Sequence, residues 1–382
     1  MLKKNFKIAY TSNALIPSLS ANSLQTMKMC EAFSLSGYDV HLMIPQISHM
    51  IDINEYNYYN VKKNFEIFRL YFPNFKGKNI IFGINEALTI KKIKPDLVYG
   101  RCIIGCTYAA LMGYPVIFET HVPVWKNSHL GAIFFKILVS TKNLKKIVVI
   151  SNELKQYYIK HTKISSELFL VAHSGASEIN RKHKNCTYDW QGRPNRFNVG
   201  YAGHLYQGKG IEIIEKISKI ITDVDFHIIG GSPDDICFWR NRMNSPNVFF
   251  HGFLIQKQLA HIFQFLDICL LPNQMSVSTS IYKRKNQVDI GKFTSPMKLF
   301  EYMANEKPII ASDLPQLREV LNDYNSVLVP HDDIAEWVKA IKQLKQNETF
   351  RKQIAKKAYI DFLTKYSWNV RVKYIINNSN IK

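Results

Sequence analysis

The chain has 382 residues, 46% of them hydrophobic and 13% aromatic. That is core enough for two domains and excludes a disordered chain. Its formal net charge of +20 directs attention to anionic partners: phosphorylated substrates, nucleic acid or an anionic membrane face. The six cysteines (Cys30, Cys102, Cys106, Cys186, Cys237, Cys269) have no paired CxxC spacing. They predict buried free thiols in a reducing compartment, not a disulfide framework or a metal site. Met1 to Tyr10 has a basic flank but no apolar run behind it, and no stretch is long and apolar enough to span a bilayer. A cytoplasmic chain is expected.

Taken in order, strand-like and helix-like segments alternate. Phe6–Tyr10 reads as a strand, and Leu24, Met27, Phe33 and Leu35 mark a helix closed by Gly37. Val40–Ile44 and Phe65–Leu70 are strands. Glu86–Ile93 is helical and stopped by Pro95. Leu97–Tyr99, Val116–Glu119, Ile147–Ile150 and Leu168–Ala172 are further buried runs. Between residues 181 and 196 the chain turns polar, charged and proline-containing, which reads as a linker. The alternation then resumes with strands at Asn198–Ala202, Asp225–Gly230, Asn247–His251, Ile268–Leu271, Pro308–Ala311 and Ser326–Val329. Ser232 and Pro233 open a helix reaching Met243. Short buried strands separated by helices predict parallel, doubly wound sheets. The expected architecture is α/β. An N-terminal Rossmann-like domain covers 1–180, a second covers 197–360, and a C-terminal helix over 361–382 returns toward the first. A central cleft lies between the domains. The lysine-rich end (Lys339, Lys342, Lys345, Lys352, Lys356, Lys357) reads first as solvated helix faces, with a membrane-surface role as the sharper alternative.

Two stretches carry chemistry. Asn198–Ala202 leads into a loop holding Gly203, His204, Gly208, Lys209 and Gly210. Ile211, Ile214, Ile217, Ile220 and Ile221 then fall at helical spacing. Strand, glycine-rich loop and helix N-terminus together point backbone N–H groups and a lysine at one spot, which suits a phosphate. In the second stretch, Thr294 or Ser295 followed by Pro296 reads as a helix start, with Met297, Lys298 and Glu301 in the first turns. A carboxylate there can accept from hydroxyls such as a ribose diol, or pair with Lys298. Asp223-Val224-Asp225 resembles a metal-binding DxD but sits between a helix and a strand, so it reads as a surface turn. His173 ends a strand near the expected hinge, while His227 and His251 read as structural strand residues. The aromatics at Tyr56–Tyr59 and Phe72–Phe82 are candidates for an acceptor or lipid-facing surface, or for core.

The combination Gly203…Lys209-Gly210, Ser295-Pro296-x-Lys298-x-x-Glu301-Tyr302-Met303-Ala304 and Pro308-Ile309-Ile310-Ala311-Ser312-Asp313 resembles the retaining GT-B glycosyltransferases of family 4. Glu319-Val320 and Asn325–Pro330 are similar to that family's closing segment. Ala21–Phe33, Glu119-Thr120-His121 and Val149-Ile150-Ser151-Asn152 resemble its N-terminal motifs. The resemblance implies that Lys209 binds a donor diphosphate, Glu301 the ribose hydroxyls, and the N–H groups of Thr294, Ser295, Pro296, Met297 and Lys298 the diphosphate and sugar end. It implies that His121 reaches the donor sugar, and that Ser20, Ala21, Asn22 and Ser23 face donor or acceptor. Two positions depart from the pattern: His204 stands where an arginine is usual, and Phe293 where a glutamate is. Asp289 and Asp313 are candidates to replace that carboxylate.

The expected activity is transfer of a hexosyl unit from a UDP- or GDP-linked sugar to a hydroxyl of a glycan or lipid-linked glycan. Surface polysaccharide or lipopolysaccharide synthesis is the implied setting. Leaving-group charge would be met by Lys209, His204 and helix N-termini, with no metal or cofactor expected. The other readings are a catalytically silent nucleotide-sugar-binding module, suggested by His204 and Phe293, and a nucleic-acid binder. No basic–aromatic recognition motif supports the last, so no nucleic-acid partner is expected. Peripheral contact with an anionic membrane fits the charge.

Overall fold

The computed structural model describes residues 6–47, 53–179, 189–278, 289 and 291–381. It divides into one unit of Met1–Ser174 with Trp368–Lys382, and a second of Gly175–Ser367.

The first unit holds seven strands: β1 (Lys7–Thr11), β2 (Asp39–Pro45), β3 (Glu66–Leu70), β4 (Leu97–Gly100), β5 (Val116–Thr120), β6 (Leu144–Val149) and β7 (Phe169–Val171). Their order is β3-β2-β1-β4-β5-β6-β7, and every pairing is parallel. Parallel neighbours need crossovers that cover both faces, so β4 and β5 are buried along their whole length, as their unbroken apolar runs imply. The helix expected from Glu86 begins earlier, at Lys78, and runs to Ile93. Gly77, at φ 95°, turns the chain into it, and Lys94 ends it in the left-handed region just before Pro95.

The C-terminal helix Trp368–Asn377 packs on the helix Ala21–Leu35 within this unit. What fastens it is Arg371, 3% exposed. Its guanidinium donates to both oxygens of the buried Glu119 carboxylate, at 3.2 and 3.1 Å, and to the carbonyls of Ala172 (3.2 Å) and His173 (2.7 Å). Burial pushes the Glu119 carboxyl up, but Arg371 and the bond from His121 outweigh it and hold the group far below the ordinary range.

The second unit holds β8 (Phe197–Ala202), β9 (Val224–Ile229), β10 (Val248–Gly252), β11 (Ile268–Leu271), β12 (Ile309–Ser312) and β13 (Val327–Val329). Their order is β10-β9-β8-β11-β12-β13, again all parallel. The helix Ile211–Ile220 buries Ile211, Ile214 and Ile217 against this sheet, with Trp337 and Ile341 from the helix Ile334–Gln346 in the same core. Ser232 caps Pro233–Met243 through a reciprocal bond pair with Asp235.

Several expectations need correction. Asp225 is not at a surface turn: it is fully buried in β9 and paired with Arg193 and Arg196, while only Asp223 is exposed, paired with Lys345. Cys237 is exposed, whereas Cys30, Cys102, Cys106 and Cys269 are buried free thiols. Cys186 and residues 181–188 lie outside the described residues. Residues 189–196 form neither strand nor helix, yet Trp190 stacks on Phe265 at 4.8 Å between centroids. Of the lysines near the end, Lys339 pairs with Glu336 and Lys352 with Glu348, as solvated helix faces do. Tyr59 is buried and Phe72 packs edge-on to Phe82, but Tyr71 and Phe75 are exposed. Among the described residues no helix is long and apolar enough to cross a membrane.

Arg371→Met strands the buried Glu119 charge, so it should cost about 3–5 kcal/mol of stability. Urea unfolding followed by circular dichroism measures this. Glu119→Gln combined with Arg371→Met should recover part of the loss, because no uncompensated charge is then left inside.

Candidate functional site

Each sheet reverses strand order once, between β1 and β4 and between β8 and β11. In open parallel sheets that reversal leaves a crevice at the carboxyl ends of the strands, where ligands bind. The glycine loop lies at the second reversal. Gly203 ends β8 at φ 143° and its N–H is bonded to the Ile229 carbonyl at 2.8 Å. Gly208 and Gly210, at φ 81° and 94°, lie so close to the loop segment following β11 that a Cβ would collide with the carbonyls of Ser276 and Pro272. Bonds from Gln274 N–H to the Gly208 carbonyl (2.9 Å) and from Ser278 N–H to the Gln207 carbonyl (3.1 Å) join the two loops. The glycines are there because backbone must approach backbone.

Around this loop the structure gathers cations. Lys298 is only 8% exposed, and its Nζ has no hydrogen-bond partner among the described residues. It rests on the face of the Tyr201 ring, 3.8 Å from the centroid, beside Gly203. Burial, with Lys209 nearby, pushes its ammonium well below the ordinary value, against the pull of Glu301. Burial likewise brings Lys209 down to about 8. His204 is lowered by burial first and by Lys209 next, and its ring stacks on Tyr206 at 4.7 Å. Burial thus disfavours the charged form of His204, which was expected to help meet leaving-group charge, and Lys298 is a second lysine beside Lys209. Asn273, 1% exposed after β11, adds a side-chain amide with neither atom hydrogen-bonded among the described residues. Two amines held against desolvation, with no carboxylate bonded to either among the described residues, form a site short of an anion.

The second loop enters the same surroundings differently from expectation. The helix runs Met297–Ala304 with Pro296 at its cap position and no side-chain cap. Neither Thr294 nor Ser295 caps it: the Thr294 hydroxyl donates to the Gly291 carbonyl at 3.2 Å, and Ser295 is buried. Glu301 makes no ion pair with Lys298; Gln256 Nε2 lies 3.4 Å from its Oε1. Phe293 is buried, and Asp289 is committed to the loop, accepting from the N–H groups of Val277 (3.0 Å) and Gly291 (2.8 Å). Asp313 is paired with Arg318.

The remaining candidates belong to the first unit. Exposed Ser20 caps the helix Ala21–Leu35, accepting from the Asn22 N–H at 3.1 Å. Ala21 is exposed, while buried Ser23 donates to the Leu15 carbonyl at 2.9 Å. His121 follows β5, its Nε2 2.7 Å from Glu119 Oε1. Burial first, and Arg101 next, lower its pKa to about 4. A neutral ring facing an ionised carboxylate donates from Nε2, which leaves Nδ1 as an acceptor. Gln25 Nε2 donates to the same Oε1 at 2.7 Å, and the Tyr99 hydroxyl bonds Oε2. His173 Nδ1 lies 3.1 Å from the Ile150 carbonyl, and His227 and His251 are bonded to one another at 2.9 Å as structural strand residues. Sequence reasoning missed Gln25, Arg371, Tyr201, Asn273 and Gln256.

With this geometry in hand, a family model described as glycosyl transferase-like matches residues 209–377. A protein of Bacillus subtilis (strain 168) described as a candidate teichuronic acid biosynthesis glycosyltransferase, TuaH, is 25% identical over 158 residues. That match covers 40% of this chain and spans only 36% of the relative's own length. A glycosyltransferase structure from Rickettsia africae ESF-5 superposes with TM-score 0.72 at 15% identity, covering 99% of both chains. Anabaena Alr3699/HepE, solved in complex with UDP and glucose, gives 0.66 at 14%, covering 98% of this chain and 99% of that one. The chain has the GT-B fold: two parallel-sheet Rossmann-like units with helices, as in these structures.

Both amines are lowered on folding, so their charged forms carry a penalty in the native state that is full below the folded pKa and vanishes above the unfolded one. The unfolding free energy should therefore rise with pH from about 8, the Lys209 value, toward about 10.4. Lys298→Met should raise the urea midpoint at neutral pH and flatten this rise, since it deletes a buried unpaired charge.

Proposed function

We propose that this protein is a glycosyltransferase that moves a hexosyl unit from a nucleotide-diphosphate sugar to a hydroxyl of a glycan or lipid-linked glycan, with retention, in surface polysaccharide or lipopolysaccharide synthesis. The observation that carries the reading is Lys298: a buried ammonium with no hydrogen-bond partner among the described residues, next to Lys209 at a glycine-lined switch point. A diphosphate supplies the missing charge. The UDP and glucose bound by the Anabaena protein and the teichuronic acid biosynthesis description of the Bacillus relative support a nucleotide-sugar donor and a glycan acceptor.

In this reading the diphosphate sits on Lys209, Lys298 and the N–H groups of Gly203 to Gly210, with the unsubstituted start of the helix Met297–Ala304 adding its dipole. Departure of the diphosphate leaves negative charge on its oxygen, which the two ammonium groups meet without reorganising. Their charge serves where a metal would otherwise be needed, so transfer proceeds with no metal cofactor. Glu301 accepts from the ribose hydroxyls, with Gln256 holding the carboxylate until they arrive. His121 presents Nδ1 to a hydroxyl of the donor sugar. The protein works in the cytoplasm, with peripheral contact at an anionic membrane where the acceptor is lipid-linked.

UDP titrated calorimetrically into the full chain tests the site. Lys209→Ala and Lys298→Ala should each weaken binding by about 10–100-fold. Affinity should fall as pH rises through about 8, where Lys209 loses its proton. Glu301→Ala should erase any preference for UDP over its 2′-deoxy analogue. Unchanged binding in both lysine variants sinks the assignment. Nucleotide binding without sugar transfer to any acceptor identifies a silent binding module instead.

A further inference from the structure

The first unit has a switch point of its own, and a guanidinium there is bonded to no carboxylate among the described residues. Arg101 directly follows β4, and its N–H bonds the Thr11 carbonyl at the end of β1 at 2.9 Å. Gly100 allows this closeness, since a Cβ there would collide with Thr11. The nearby buried carboxylate is Glu119, and it is already spent: Arg371 takes both oxygens, and Gln25, Tyr99 and His121 take the rest of its acceptor capacity. Arg101 is half-buried, forms no ion pair among the described residues, and its Nη1 is enclosed without a hydrogen-bond partner. One carboxylate beside two guanidinium groups and a neutral histidine leaves a net positive charge at the carboxyl end of this sheet.

We propose that Arg101 is an anion-binding site of the first unit, its guanidinium receiving a carboxylate or phosphate group of the carbohydrate substrate. This rests on the glycosyltransferase reading. The contrast with Arg371 carries the argument: a bracing arginine shows its bonds, and Arg371 makes four to oxygen atoms within its own unit. Arg101 instead keeps an enclosed donor unbonded among the described residues, on the residue that follows β4 at the reversal between β1 and β4, the position where parallel sheets take their ligands. A guanidinium also matches carboxylate or phosphate in geometry, with two parallel bonds. The anion has two possible sources. One is the donor diphosphate, the other an acidic group on the acceptor, such as a uronate or glycerol phosphate unit.

The test uses the full chain and the variants Arg101→Met, Arg101→Lys and Lys209→Ala. Each is titrated with UDP, a glucuronate-terminated oligosaccharide, a glycerol-phosphate oligomer and a neutral glucose oligosaccharide. The proposal expects at least one anionic probe to bind the wild-type chain and to weaken about 10–100-fold in Arg101→Met. Arg101→Lys should lose less, and the neutral probe should be unaffected. Loss for UDP assigns the donor diphosphate; loss for an acidic oligomer with UDP unchanged assigns the acceptor. Lys209→Ala should spare the acidic oligomers, so failure at the second unit's site is read separately from failure here. The thermal midpoint of Arg101→Met should hold or rise, because an unpaired enclosed charge is removed. The proposal is overturned if Arg101→Met binds every anionic probe as the wild type does, or if no anionic probe binds the wild type. It is equally overturned if Arg101→Met melts several degrees lower or does not fold, either of which marks a brace.

Discussion

Parallel pairing is the constraint from which the chemistry of this molecule follows. A strand pairing in parallel cannot be reached by a tight turn, so every connection crosses the sheet, and the loops that leave the strands gather at their carboxyl ends. Where strand order reverses, successive crossovers leave on opposite sides and a crevice opens. Both units have one such reversal. Gly203 to Gly210 lies at one and Arg101 at the other, and in each case a glycine allows close backbone approach: Gly210, just before the helix Ile211–Ile220, against Pro272, and Gly100, at the end of β4, against Thr11.

The charges at the two crevices follow a common logic. Two buried carboxylates of the described residues are matched by arginine. Asp225 has Arg193 and Arg196; Glu119 has Arg371. Lys298 and Arg101 keep enclosed nitrogens with no hydrogen-bond partner among the described residues. A fold selected only for stability would replace such groups with apolar side chains of similar volume, since burying an unpaired charge costs several kcal/mol. Their persistence fits groups kept for a ligand. The net charge of +20 is compatible with this but does not produce it. The lysines responsible for much of that excess, such as Lys339 and Lys352, are on solvated helix faces.

The fold was legible because buried parallel strands read as short continuous apolar runs, and runs such as Ile268–Leu271 coincide with β11. The glycine loop was legible for a related reason: positive φ and backbone contact select glycine, which leaves a trace in the sequence. Helix starts were less so. Lys78 opens its helix through a left-handed Gly77, with no capping side chain to announce it. Thr294 and Ser295 gave a capping signal that the backbone does not use. Burial is harder still to read. Asp225 occupies a strand position that places a carboxylate inside, and only the arginines packed over it make that tolerable. Lys298 likewise carries a residue name that suggests solvent, whereas its helix is buried nearly all round, at Lys298, Leu299, Phe300, Tyr302, Met303 and Ala304.

The least legible feature is the one that completes the first unit. Arg371 and Glu119 are 252 positions apart, and nothing local to either residue signals the other. Glu119 lies on β5 with both oxygens inside. Without the Arg371 guanidinium, Gln25, Tyr99 and His121 are still there to donate, but none brings positive charge in its neutral form, and Arg101 acts on the carboxylate only through space, with no bond to it. The carboxylate would then be drawn toward protonation, and a protonated Glu119 no longer obliges His121 to donate from Nε2. Arg371 thus acts on His121 through Glu119. By keeping the carboxylate charged it fixes the tautomer, and with it the free Nδ1 that the ring presents at the end of β5. A helix at the far end of the chain sets the hydrogen-bonding face of a histidine in its first third, and it does so through one ion pair.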